Sequence, residues 1–134
     1  MKNKLRILIA TTLLLPSIVC SAENPDALTI DMTRSFAAIA SKGSPRMVDQ
    51  YTRMERVYSE SLDIIFDYTI LAAIPELSEA EHRGRLRSNF ASVMCATPKF
   101  HDQLLKKGVK QIYRYSNKSG EVLREFTFSI NDCA

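Results

Sequence analysis

The two histidines are the residues best suited to chemistry, because imidazole acts as a general base and as a metal ligand near neutral pH. Glu79 and His82 are three positions apart, a spacing that places two metal ligands on one helix face. A zinc site needs three or four ligands, so a single pair favours solvated side chains near a helix start. His101 has no evident nucleophile near it in the sequence. The sequence therefore predicts no catalytic residues and no metal site.

Sequence motifs that would indicate an enzyme are missing from the 134 residues. There is no GxSxG, no HExxH, no glycine-rich phosphate loop and no aspartate-rich calcium loop. We therefore predict a protein that is not an enzyme and uses no cofactor. The alternative is a hydrolase in which one of the histidines meets a carboxylate from a remote part of the chain.

The first 22 residues, MKNKLRILIATTLLLPSIVCSA, have the layout of a secretory signal peptide. A cationic start precedes an apolar run, and small residues precede a cut before Glu23. The run is interrupted by Pro16 and is short for a membrane span of about 20 residues, so we predict no stable membrane insertion. An uncleaved anchor helix and a lipoprotein acylated at Cys20 are the alternatives. The mature protein is expected in the periplasm or outside the cell.

The net charge of +3 comes from this N-terminal segment. Lys2, Lys4 and Arg6 precede the first acidic residue, and without these three the chain has 15 basic and 15 acidic residues. A neutral domain lacks the excess positive charge of a nucleic-acid-binding protein. We therefore expect a protein partner and no nucleic acid; the oligomeric state is unknown from sequence.

Cleavage after residue 22 would leave two cysteines, Cys95 and Cys133. An exported chain meets an oxidising compartment, so a disulfide between them is the expected state. Closing a loop of this length stabilises a protein by about 4 kcal/mol in the chain-entropy description. A reactive or metal-binding thiol pair is the alternative, but no CxxC spacing supports it.

Hydrophobic periodicity and capping residues predict three helices and four strands. The first helix starts at an Asn24-Pro25 cap, and its apolar positions recur at helical spacing at Leu28, Met32, Phe36 and Ile39. The predicted helices cover residues 25–42, 79–96 and about 98–107, and the predicted strands cover residues 50–59, 62–71, 109–116 and 121–130.

The order α-β-β-α-α-β-β predicts a single α+β domain over residues 23–134. Two local hairpins would form one four-stranded antiparallel sheet, packed by helices on one face. The opposite face would then expose Ile65, Ile112 and Leu123, which we predict as a candidate partner surface. In the alternative, a helix or loop covers them.

The C-terminal segment carries a recognisable combination of features. It reads VMCATPKFHDQLLKKGVKQIYRYSNKSGEVLREFTFSINDC, with a Cys-x-x-Pro helix end, a Gly-Val pair, a Tyr-x-Tyr strand and a final Asp-Cys. It resembles the quorum-sensing-regulated virulence factor family of small exported bacterial proteins. The resemblance implies an exported α+β domain with a disulfide and an association with virulence, and it supplies no catalytic residues.

These patterns and the resemblance together predict a small periplasmic or secreted, non-enzymatic binding or accessory protein, associated with virulence, whose partner is a protein of the bacterial envelope. Two further functions stay open. One is a pilotin-like accessory of a secretion system or of envelope assembly. The other is an inhibitor or immunity-type module for a secreted hydrolase.

Overall fold

The computed structural model describes residues 25–72 and 78–133, so the predicted signal peptide lies outside the described residues. The elements, in chain order, are α1 (Ala27–Ala40), β1 (Arg46–Met47), β2 (Thr52–Glu60), β3 (Asp63–Ile70), α2 (Glu79–Phe90), a π-helical segment (Ala91–Cys95), α3 (Pro98–Gln103), a 3-10 turn (Leu105–Lys107), β4 (Lys110–Ser116), β5 (Val122–Phe128) and a final 3-10 turn (Ile130–Cys133).

The strands form one sheet in the order β1-β2-β3-β4-β5. The two predicted hairpins, β2–β3 and β4–β5, are confirmed, but the prediction of four antiparallel strands is wrong in two respects. β1 adds a fifth strand, whose two residues are too few to show any alternation. β3 and β4 pair in parallel, because the helical crossover between them returns the chain to the end of the sheet at which β3 starts.

Helix α2 begins where its capping box predicts. The Ser78 Oγ accepts a hydrogen bond from the Glu81 N–H at 3.2 Å, and the Glu81 carboxylate accepts one from the Ser78 N–H at 2.9 Å. The predicted helix over residues 79–96 is α-helical as far as Phe90 and continues as the π-helical segment. One narrow stripe, His82, Leu86 and Phe90, packs inward, and the rest of the helix is exposed.

The core lies between the helices and one face of the sheet, and that face is rich in aromatic residues. The rings of Phe66 and Tyr113 stack at 4.7 Å between centroids, and those of Tyr68 and Tyr115 stack at 4.8 Å. Parallel-paired neighbours on β3 and β4 thus supply the stacked rings. The fully buried members of the core include Phe90, Phe128, Ile64, Met94, Leu104, Leu105 and Val109.

The predicted disulfide is confirmed between Cys95 and Cys133, whose Cα atoms are 5.4 Å apart. Cys95 ends the π-helical segment after α2, and Cys133 ends the 3-10 turn after β5. Since β5 belongs to the sheet and α2 to the helical layer, the bond ties one layer to the other.

Candidate functional site

An apolar groove of about 560 Å³ lies between α1 and α3. Its volume is in the range of protein sites that accept a ligand or a partner side-chain cluster. Two charged residues, Asp31 on α1 and Lys99 on α3, also line it. The apolar lining comprises Leu28, Met32, Phe36, Ile39 and Ala40 from α1, Phe100 from α3, and Leu104 directly after α3.

The groove exists because α1 packs on the sheet through its small side chains. Thr29, Thr33 and Ala37 are its buried residues, and the Thr33 hydroxyl donates a hydrogen bond to the Thr29 carbonyl at 2.8 Å. Small residues let a helix approach a sheet closely, and this hydrogen bond satisfies the buried hydroxyl. The larger apolar stripe of α1 is therefore turned away from the sheet, toward α3.

Two residues of this stripe remain largely exposed. Leu28 is 66% exposed and Ile39 is 65% exposed. Between them, the Phe36 ring meets the Phe100 ring edge-on, with centroids 5.3 Å apart, and Leu104 is 2% exposed. Covering each exposed side chain with a partner would contribute about 1–2 kcal/mol. The arrangement is suited to noncovalent binding of an apolar segment.

The structure brings together two of the three residues predicted as a partner surface and places the third apart. Ile65 and Ile112 are directly paired on β3 and β4, and Ile65 is only 3% exposed. Leu123 is 49% exposed and lies at an irregularity of β5, where the register with β4 skips it. Arg114 and Glu125 pair in the next outward-facing row beyond Ile112. The three residues therefore do not form one continuous apolar patch.

The outer face of the sheet is instead crossed by ion pairs. Arg56 Nε lies 3.0 Å from Asp67 Oδ2, and Arg114 Nε lies 2.9 Å from Glu125 Oε2. Arg114 also approaches Asp67 at 3.7 Å, so opposite charges alternate across the four strands β2 to β5. Hydrogen bonding to the Asp67 carboxylate raises the pKa of Arg56. The face carries balanced charge in place of a basic stripe.

The histidines occupy two unlike environments. His82 is buried, with its ring centroid 4.4 Å from that of Tyr115 and 5.1 Å from that of Phe126. His101 lies on α3 with its Nδ1 atom 2.9 Å from the Asp102 carboxylate. Across residues 25–72 and 78–133, no three or more His, Cys, Asp or Glu side chains are placed to hold a metal ion.

Sequence reasoning identified the apolar stripe of α1 but not the groove that it lines. The stripe has the spacing of a helix face that packs on the core; its members are Leu28, Met32, Phe36 and Ile39. Only the smaller residues between them indicate that the opposite face of α1 packs on the sheet. None of the helices in the described part of the chain combines the length and apolar character needed to cross a membrane.

No protein-family model and no curated protein matches the chain. Its fold is similar to that of a candidate secreted protein from Pseudomonas aeruginosa, with a TM-score of 0.61 and 21% identity over 84% of this chain and 99% of the other. It is also similar to EpsS, a pilotin of the Vibrio vulnificus type 2 secretion system, with a TM-score of 0.56 and 17% identity over 80% and 93% of the two chains. AspS, the type II secretion system pilotin of Vibrio cholerae, gives a TM-score of 0.54 and 15% identity over 79% and 93%.

Proposed function

We propose that this protein is a non-enzymatic accessory of the bacterial envelope, of the pilotin kind, that binds a protein of a secretion apparatus. The observation that carries the proposal is the apolar groove between α1 and α3, with Leu28 and Ile39 held exposed at its lining. The fold that the chain shares with two pilotins supports the same function.

The groove suits an amphipathic helix of the partner. It runs between two helices and has an apolar lining, and a helix placed there would bury an apolar stripe against Met32, Phe36 and Phe100. Asp31 and Lys99 would then meet basic and acidic residues that flank the stripe of the partner. Apolar burial would supply the affinity, and the two charges would fix the direction of the bound helix.

The proposed location is the periplasm or the cell exterior. The signal-peptide pattern of residues 1–22 supports export, and the Cys95–Cys133 disulfide is suited to an oxidising compartment. The resemblance of residues 93–133 to a virulence-associated family of exported proteins agrees with a role in secretion, and we include that association in the proposal.

Substitution of Ile39 by Asp is expected to weaken partner binding at least about tenfold, because an apolar contact is lost and a carboxylate must be desolvated. The exported protein, with an affinity tag, is mixed with a detergent-solubilised type 2 secretion complex, and retention of the complex is measured against protein concentration. Ile39 is 65% exposed, so the variant should fold and melt like the wild type.

Leu123→Asp is the matched control, because Leu123 is also exposed but lies on β5, outside the groove. Retention of the complex by the Leu123 variant and its loss by the Ile39 variant would support the proposal. The reverse pattern would assign binding to the sheet, and no retention of any secretion component by the wild type would contradict the proposed function.

A further inference from the structure

Helix α2 is held to the sheet differently at its two ends. At its C-terminal end, the Phe90 ring packs on the Phe128 ring at 5.5 Å, and the Cys95–Cys133 disulfide follows directly. The structure describes α2 over its whole length from Glu79, and in the N-terminal half of the helix His82 is the one buried residue. The Arg83 guanidinium also reaches across from this half, 4.9 Å from the centroid of the Phe128 ring and 3.7 Å from Asp132, but its side chain is exposed. The imidazole is therefore the one buried attachment of this half to the sheet.

The packing around His82 favours the neutral form of its ring. The ring is steeply inclined to those of Tyr115 on β4 and Phe126 on β5, at interplanar angles of 62° and 72°. Its Nδ1 atom lies 3.4 Å from the Arg124 guanidinium, which can donate only if that nitrogen is unprotonated. Conversion of the ring to imidazolium would place two N–H donors, and two positive charges, against each other.

The charged groups around His82 come from three elements. Arg85 lies one turn further along α2 and Arg124 is on β5, and both cations oppose a positive imidazole. Asp49, in the loop between β1 and β2, favours the positive form. Tyr115 stays neutral here, because burial raises the pKa of its hydroxyl. The surroundings therefore combine two opposing cations, one carboxylate with a smaller effect and two aromatic rings.

We propose that His82 makes the N-terminal half of α2 a pH-sensitive clamp, which closes on Tyr115 and Phe126 when the imidazole is neutral and opens when it is protonated. The disulfide keeps the C-terminal end of the helix in place, so opening is local. The open state uncovers the aromatic surface of β4 and β5 at the position of His82.

The direction of the pH dependence follows from proton linkage. Burial lowers the pKa of His82, and the charges of Arg124 and Arg85 lower it further. In the open state His82 is exposed to water, and its imidazole has the ordinary pKa of about 6.5. The open state therefore binds more protons than the closed state. The closed state therefore has its full stability at pH values above the ordinary pKa of histidine. It loses stability as the pH falls from that value toward the lowered pKa of the buried imidazole.

Amide hydrogen exchange measures the clamp directly in the oxidised protein. Protection factors, corrected for intrinsic rates, are compared at about pH 7.5 and about pH 5. Over residues 79–86 we expect protection to fall several-fold at the lower pH, with no matching fall in β2 and β3. Glu81 stays ionised in this range, because hydrogen bonds from Ser78 lower the pKa of its carboxyl, so the capping box is intact.

Two variants separate His82 from other causes. His82→Phe keeps an aromatic ring without a titrating group, so it should abolish the pH dependence. His101→Gln removes the other histidine and should behave like the wild type. Equal protection at both pH values, a uniform fall across the sheet, or a persistent fall in His82→Phe would each overturn the proposal. If His82→Phe does not fold, NMR titration of His82 in the wild type decides, and an ordinary pKa would overturn the proposal.

Discussion

Loss of the Cys95–Cys133 disulfide is expected to lower the free energy of unfolding by about 4 kcal/mol. The two cysteines are 38 positions apart, so reduction frees a long loop in the unfolded chain and raises its entropy. In the folded chain the bond joins the end of the helical layer to the residue that closes the turn after β5. A loss of this size would shift the thermal midpoint by more than about 10 °C in a domain of this length.

Denaturant unfolding of the oxidised protein, the reduced protein and a Cys95→Ala, Cys133→Ala double variant measures this effect. The double variant serves as control, because reductant should leave its unfolding curve unchanged. Identical curves for the oxidised and reduced wild type would show that the bond does not contribute to the stability of the domain.

Phe128→Ala is expected to cost about 3–5 kcal/mol of stability. Phe128 is fully buried, and its ring contacts those of Phe90 and Tyr113 with centroids 5.5 and 5.7 Å apart. The Arg83 guanidinium lies 4.9 Å from the ring centroid, so the same ring also supports α2. Truncation would leave a cavity where the sheet meets the helical layer.

The neighbouring exposed residue provides the control for this measurement. Thr127 is on the same strand and faces solvent, so Thr127→Ala should change stability by less than about 0.5 kcal/mol. The two variants are compared with the wild type by chemical denaturation, with the disulfide intact in all three proteins. A cost below about 1 kcal/mol for Phe128→Ala would mean that the core collapses around the missing ring.

Local signals predicted most of the secondary structure. The capping box at Ser78 and the alternation in residues 62–71 involve neighbours in the chain, and both elements formed close to their predicted bounds. The pair at Arg46 and Met47 was missed because two residues carry no periodicity. The parallel pairing of β3 and β4 was missed because hairpin reasoning concerns adjacent strands, whereas this pair is set by the course of the helical crossover.

The candidate site was harder to predict, because it depends on which of two helix faces packs inward. Leu28 and Ile39 have the composition of a core stripe, yet Thr33 and Ala37 are the buried residues of α1. Which face of α1 packs inward depends on how closely the helix can approach β2 and β3. That distance is set by tertiary packing and cannot be inferred from neighbours in the chain. His82 was assigned to solvent for a similar reason, because its aromatic neighbours lie more than thirty positions away in the chain.

The parallel pairing at the centre of the sheet also bears on how the chain folds. Each hairpin joins neighbouring strands through a short turn. The two hairpins meet at a seam, the parallel pairing of β3 with β4, which places Asp63 opposite Lys110. Closing that seam brings together segments 47 positions apart and carries a larger loop-closure entropy than either hairpin. Folding rates fall as such contacts become more distant in sequence. The two hairpins should therefore form early, and their docking along the seam should limit the folding rate.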